Sequence, residues 1–142
     1  MFKSSVFAAL FILTCSFSTA QAEPRPDKLQ IIDTRMGSGA TLEQGELAEV
    51  HYTGWLYDAS APEHKGQRFD SSHDRKEPFV FRIGTGDVIQ GWDEGVGGMK
   101  TGGHRTLIVP SSMGYGPRGA GRVIPPDTDL VFEIELITIP LH

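Results

Sequence analysis

Few residues in this sequence have the types that chemistry usually needs, and their pattern narrows what that chemistry is. The one cysteine, Cys15, stands near the start of the chain, so no disulfide, thiolate nucleophile or cysteine metal site is expected downstream. The five histidines, His51, His64, His73, His104 and His142, include no short-range pair at metal-ligand spacing and read as surface or strand residues. The run Gly95-Val96-Gly97-Gly98-Met99-Lys100-Thr101 resembles a phosphate loop only superficially, because Met99 stands where that motif needs glycine before the lysine. What remains is an aromatic set, Phe69, Phe79, Phe81, Trp92 and Phe132, together with Tyr52, Tyr115 and Asp70. On spacing alone the rings read as core, Tyr52 as a strand tyrosine and Asp70 as a turn aspartate. Without a nucleophile, such a set can still enclose an apolar group and exclude water.

The elements that must position these residues begin after a processing segment. Residues 1–22 read as a signal peptide: Lys3 gives a positive start, residues 6–13 are apolar, and Ala20 and Ala22 mark a cleavage site. The apolar run is shorter than the roughly 20 residues a bilayer span requires, and Cys15 lacks the preceding residues of a lipid-anchor site. Cleavage at Glu23 leaves 120 of the 142 residues, the size of one domain, and loses Lys3, moving the formal charge from −5 to −6. That acidity argues against a nucleic-acid footprint and gives no attraction to an anionic membrane. Residues 23–28, rich in proline and charge, are expected to form an exposed, flexible leader.

Residues 29–142 then alternate between strand patterns and turn chemistry. In residues 46–57, Ala48, Val50, Tyr52, Gly54 and Leu56 share one face and Glu49, His51 and Thr53 the other. Phe132, Ile134 and Leu136 alternate with Glu133 and Glu135 in the same way. Shorter strands are expected at residues 29–36, 68–70, 79–83 and 104–109, with loops at 58–66 and 110–126. The only helix expected is residues 87–95, with Val88, Ile89 and Trp92 at helical spacing and Asp87 placed to cap it. Its glycines keep it short. This is an α+β pattern in which the helix must cover the apolar face of the sheet.

Seven stretches, in order, carry a family resemblance: Val50-His51-Tyr52-Thr53-Gly54, Phe69-Asp70-Ser71-Ser72, Pro78-Phe79-Val80-Phe81, Val88-Ile89-Gln90-Gly91-Trp92-Asp93-Glu94-Gly95, Met113-Gly114-Tyr115-Gly116, Ile124-Pro125-Pro126, and Leu130-Val131-Phe132-Glu133-Ile134-Glu135-Leu136. The chain resembles the FKBP family of macrolide-binding immunophilins. The resemblance implies a twisted antiparallel sheet of five to six strands wrapped around one short helix, and peptidyl-prolyl cis-trans isomerase activity. It implies Asp70, Tyr52, Tyr115 and Trp92 as catalytic residues, and Phe69, Phe79, Val88, Ile89, Ile124 and Phe132 as the substrate-binding wall, with Arg75 a further candidate beside Asp70. It implies no cofactor and no metal. The partners implied are proline-containing polypeptides, in this setting exported proteins folding in the periplasm or outside the cell, and macrolide inhibitors; the chain is expected to be a monomer. The rival reading is a binding module for proline-containing segments, against which the retention of the whole set argues. Two departures stand out: the loop at 58–66 is longer than in minimal members, and residues 117–122 bring small side chains where many relatives carry a larger one.

Overall fold

The computed structural model describes residues 25–141; the expected signal at 1–22 lies outside them. Six strands form one antiparallel sheet: β1 (Gln30–Arg35), β2 (Leu47–Tyr57), β3 (Lys65–Ser71), β4 (Phe79–Arg82), β5 (His104–Val109) and β6 (Leu130–Thr138). The order is β1-β5-β6-β2-β3, and β4 pairs with the first part of β2 on the edge whose second part pairs with β3. Alternation explains the two central strands. Ala48, Val50 and Gly54 of β2 face inward with Leu130, Phe132, Ile134 and Leu136 of β6, all buried, while Glu133 stays exposed. The register sets Gly54 opposite Phe132, Tyr52 opposite Ile134 and Val50 opposite Leu136. Burying each such aliphatic side chain contributes about 1.5–3 kcal/mol, so these strands are the rigid frame.

The helix α1 is Gln90–Gly95, three residues shorter at its start than the spacing suggests. Its N-cap is Ile89, with no side-chain cap, and Asp87 instead accepts the Arg82 N–H at 3.3 Å. The carboxylate that fastens the helix to the preceding turn is Asp93, which accepts the N–H groups of Gly84 and Gly86, both at 2.9 Å. Two helix glycines serve packing. A Cβ on Gly91 would lie 2.5 Å from Val109 Cγ1, and one on Gly95 2.8 Å from Leu107 Cδ1. The helix therefore lies directly on β5, and Trp92, 4% exposed, joins the core.

The periphery departs further from the sequence pattern. Within the leader expected to be exposed and flexible, Arg25, Asp27 and Lys28 are exposed, but Pro26 is buried and Arg25 pairs with Asp129 at 2.9 Å. Strand β1 forms, but as an edge: Ile31 and Ile32 are each 46% exposed, because β1 has a neighbour only in β5. The long loop at 58–66 is folded back on the domain. It holds a tight turn at Pro62–His64, His64 stacks on Tyr57 at 4.9 Å, and Lys65 lies 4.7 Å over the Trp55 ring while pairing with Glu63 and Glu133. On the outer face of the sheet His51 and His73 stack at 4.2 Å. Among the described residues no group of three or more His, Cys, Asp or Glu is arranged to hold a metal, and no helix is long and apolar enough to cross a membrane.

Candidate active site

A cavity of about 300 Å³ opens between the inner face of the sheet and α1, lined by Tyr52, Phe69, Asp70, Phe79, Asp87, Val88, Ile89, Trp92, Tyr115 and Phe132. Trp92 is the hub of its rings. Tyr52 and Phe132 meet it edge-on at 5.0 and 5.3 Å, Phe79 at 6.1 Å, and Phe81 lies tilted behind it at 5.5 Å. Such edge-to-face contacts fix ring orientation beyond what area burial does. The Trp92 indole N–H is buried without a protein acceptor among the described residues. Gly54 makes room for the opposite wall: a Cβ there would sit 2.6 Å from Phe69 Cζ and 2.9 Å from Phe132 Cε1. Those two rings meet edge-on at 5.7 Å across the gap.

One corner of the cavity is polar and tightly bonded. Tyr52 Oη donates to Asp70 Oδ2 at 2.5 Å, Arg75 Nη1 to Asp70 Oδ1 at 2.9 Å, and Arg75 Nη2 to Tyr52 Oη at 2.8 Å. Both Asp70 oxygens are thus engaged. Partial burial pushes the Asp70 carboxyl up, but the bonds from Tyr52 and Arg75 and the Arg75 charge outweigh it, leaving it below the ordinary aspartate value. Burial first, and then the bond to Asp70, push the Tyr52 phenol up despite Arg75. Tyr115 is also raised, by burial and then by the Asp70 charge. At neutral pH the corner therefore holds one carboxylate and two protonated phenols.

Local sequence builds this corner through Ser71 and Ser72, whose side chains are buried at the end of β3. Ser71 Oγ accepts the His73 N–H at 3.2 Å and caps the turn Ser72–Arg75. Ser72 Oγ accepts the Tyr52 N–H at 2.9 Å and lies 2.8 Å from His51 Nδ1. The two hydroxyls lock the turn that carries Arg75 to the strand that carries Tyr52.

Of the ten positions assigned to the pocket from sequence, nine line this one cavity: Tyr52, Phe69, Asp70, Phe79, Val88, Ile89, Trp92, Tyr115 and Phe132. Ile124 does not. It is 3% exposed within the core and closes a bridge with Ala120, whose N–H donates to the Ile124 carbonyl at 2.8 Å. Ile124 therefore anchors the loop rather than lining the cavity. Phe81, read as core, is 4% exposed and lies behind Phe79. Asp87 is the lining residue the sequence reading missed. It was read as a helix cap, but α1 starts later, the Asp87 carboxylate accepts the Arg82 N–H, and the residue lines the cavity.

Comparison with known proteins identifies this arrangement. A sequence model described as "FKBP-type peptidyl-prolyl cis-trans isomerase" matches residues 39–137. The "FK506-binding protein" of Neisseria meningitidis serogroup A is 51% identical over 111 residues, covering 78% of this chain and 95% of that protein. Human "Peptidyl-prolyl cis-trans isomerase FKBP2" is 41% identical over 136 residues, covering 94% of this chain and 91% of that one. The crystal structure of AtFKBP13 superposes with a TM-score of 0.70 at 40% identity, over 82% of this chain and 96% of that one.

Proposed function

The chain belongs to the FKBP-type peptidyl-prolyl cis-trans isomerase family, and from that premise we propose that the cavity around Trp92 is where Xaa-Pro bonds are turned. The observation that carries the reading is the convergence of the aromatic wall and the Tyr52-Asp70-Arg75 corner on one cavity of about 300 Å³, at the small end of the range for ligand sites.

Resonance gives the C–N bond before proline a rotation barrier of about 18–20 kcal/mol. Rotation makes and breaks no covalent bond, so neither nucleophile nor general base is required. The site need only hold the twisted amide better than either planar form. Twisting removes charge separation between carbonyl and nitrogen, so apolar walls of Trp92, Phe79, Phe69 and Phe132 disfavour the planar forms more than the twisted one. In this reading the proline ring rests on Trp92 between Phe79 and Phe132. The Ile89 N–H, at a helix start where N–H groups lack intrahelical acceptors, and the Tyr115 hydroxyl hold substrate carbonyls. Asp70, fixed on both oxygens, sets the field beside the turning amide. Macrolide inhibitors are expected to occupy the same cavity.

The substrates proposed are exported proteins during folding, in the periplasm or outside the cell, with residues 1–22 as the export signal. The charge and apolar pattern of residues 1–22 support this. The test of the site is cis-to-trans relaxation of a short Xaa-Pro peptide with wild type and Asp70→Ala. We expect wild type to outpace buffer by orders of magnitude and Asp70→Ala to lose at least about tenfold, about 1.4 kcal/mol. An Asp70→Ala protein as fast as wild type would remove the role given to that carboxylate.

A further inference from the structure

Tyr115 differs from the rest of the cavity wall in what holds it. The residue is 41% exposed, it lies on no strand or helix, and its hydroxyl has no hydrogen-bond partner among the described residues. Its placement depends on the backbone of the segment from Ser111 to Gly116, and that segment is tied at both ends. Ahead of Tyr115, the Ser111 N–H donates to Asp129 Oδ1 at 2.8 Å and opens the turn Ser111–Met113. Behind it, the Gly116 carbonyl accepts the Asp127 N–H at 2.9 Å. Asp127 is held with φ at +54, in the left-handed region that is uncommon outside glycine.

Both anchors meet at Arg25. Its Nε donates to Asp129 Oδ2 at 2.9 Å, and its Nη2 to Asp129 Oδ1 at 3.2 Å and to the Asp127 carbonyl at 2.6 Å. The Asp129 side chain is 5% exposed while that of Arg25 is 62% exposed, and among the described residues Arg25 is the one cation that pairs with this enclosed carboxylate. A guanidinium suits this task because its planar fork serves two acceptors at once, which an ammonium on a flexible stem does poorly. Pro26, buried beside it, fixes where the chain enters.

We infer that Arg25 is a positioning residue for isomerisation: it clasps Asp127 and Asp129, and through them fixes the two ends of the segment that presents Tyr115 to substrate. The inference rests on Tyr115 contacting substrate, so its test keeps the two apart. Arg25→Ala, Arg25→Lys, Tyr115→Phe and the Arg25→Ala/Tyr115→Phe double variant are compared by kcat and KM on an Xaa-Pro peptide, with amide hydrogen exchange at Ser111 and Asp127. We expect Arg25→Ala to lower kcat/KM by up to about threefold, no more than Tyr115→Phe does, mainly through KM. Exchange at those two amides should quicken about tenfold, while Ile134 in β6 stays unchanged. Arg25→Lys should fall between, and supplies the reading if Arg25→Ala folds poorly. In the Y115F background the Arg25→Ala loss should vanish, the mark of coupled sites. An Arg25→Ala protein with wild-type kcat/KM, an equal loss in both backgrounds, or unaltered exchange at Ser111 and Asp127 each overturns the inference. A Tyr115→Phe protein indistinguishable from wild type instead brings down the substrate role of Tyr115, and the exchange data still show whether the clasp exists.

Discussion

The two sides of the cavity are built on different principles. The Trp92 side rests on β2, β6 and α1: Trp92 and Phe132 are 4% and 3% exposed, and their neighbours are core aliphatics. On the Tyr115 side, Met113 and Ile124 reach the core, but the segment presenting Tyr115 is tied by polar bonds, one of which links Arg25 to Asp129 across 104 residues. Packed walls are stiff because removing a ring leaves a void, whereas a loop held by hydrogen bonds can shift for about 1 kcal/mol per bond. The difference teaches that one side supplies the apolar floor and stability together, while the other can tune substrate contact at little cost to the fold.

Substitutions that break this contrast have effects of graded size. Trp92→Leu strikes both functions at once. We expect about 2–4 kcal/mol of lost stability by urea unfolding and a fall in kcat/KM of at least about a hundredfold, equivalent to about 2.7 kcal/mol. Next comes Asp70→Ala, which leaves the floor intact and removes the anion of the polar corner; about a tenfold loss of kcat/KM is expected with a smaller change in unfolding midpoint. Tyr115→Phe removes a single hydroxyl from the loop side. It should cost about threefold in kcat/KM with an unchanged Tm, and a large drop in Tm would show that the loop wall is packed like the other.

The smallest effect is that of pH. Asp70 is held below its ordinary value, so between that ordinary value and its lower folded value the unfolded chain binds the proton and the folded chain does not. Stability from Asp70 is therefore full above about pH 4 and is lost as pH falls further. Tyr52 and Tyr115 are raised, so neither ionises below about pH 10. Between about pH 5 and 9 kcat/KM should be flat as far as these three groups set it, and the urea midpoints of wild type and Asp70→Asn should converge as pH is taken from 6 to 3.

The same contrast explains what the sequence revealed. The packed side was legible because alternation in β2 and β6 reports which face is buried and Trp92 lies buried on α1, whereas Val88 and Ile89, read at helical spacing, precede that helix. The polar corner was legible only through family-ordered motifs, since nothing in the spacing of Tyr52, Asp70 and Arg75 shows that a hydrogen-bonded turn folds them together. The loop side was read least well. Ile124 was placed in the wall by the family-ordered motif Ile124-Pro125-Pro126, whereas the structure buries it in the core beside its bridge to Ala120. Arg25 was read as part of a free leader because its partner lies 104 residues away. Asp87 was taken for a cap because helix starts are set by tertiary contacts, here those of Asp93, as much as by local residue type.

The claim beneath all of this is that the cavity turns an amide without moving a proton or forming a bond. Measuring the cis-to-trans relaxation of one Xaa-Pro peptide with catalytic amounts of the protein, in ordinary water and in D₂O, addresses it most directly. The account predicts relaxation far faster than in buffer and the same acceleration in both solvents. Relaxation at the buffer rate, or an acceleration that falls markedly in D₂O as rate-limiting proton transfer requires, would contradict it.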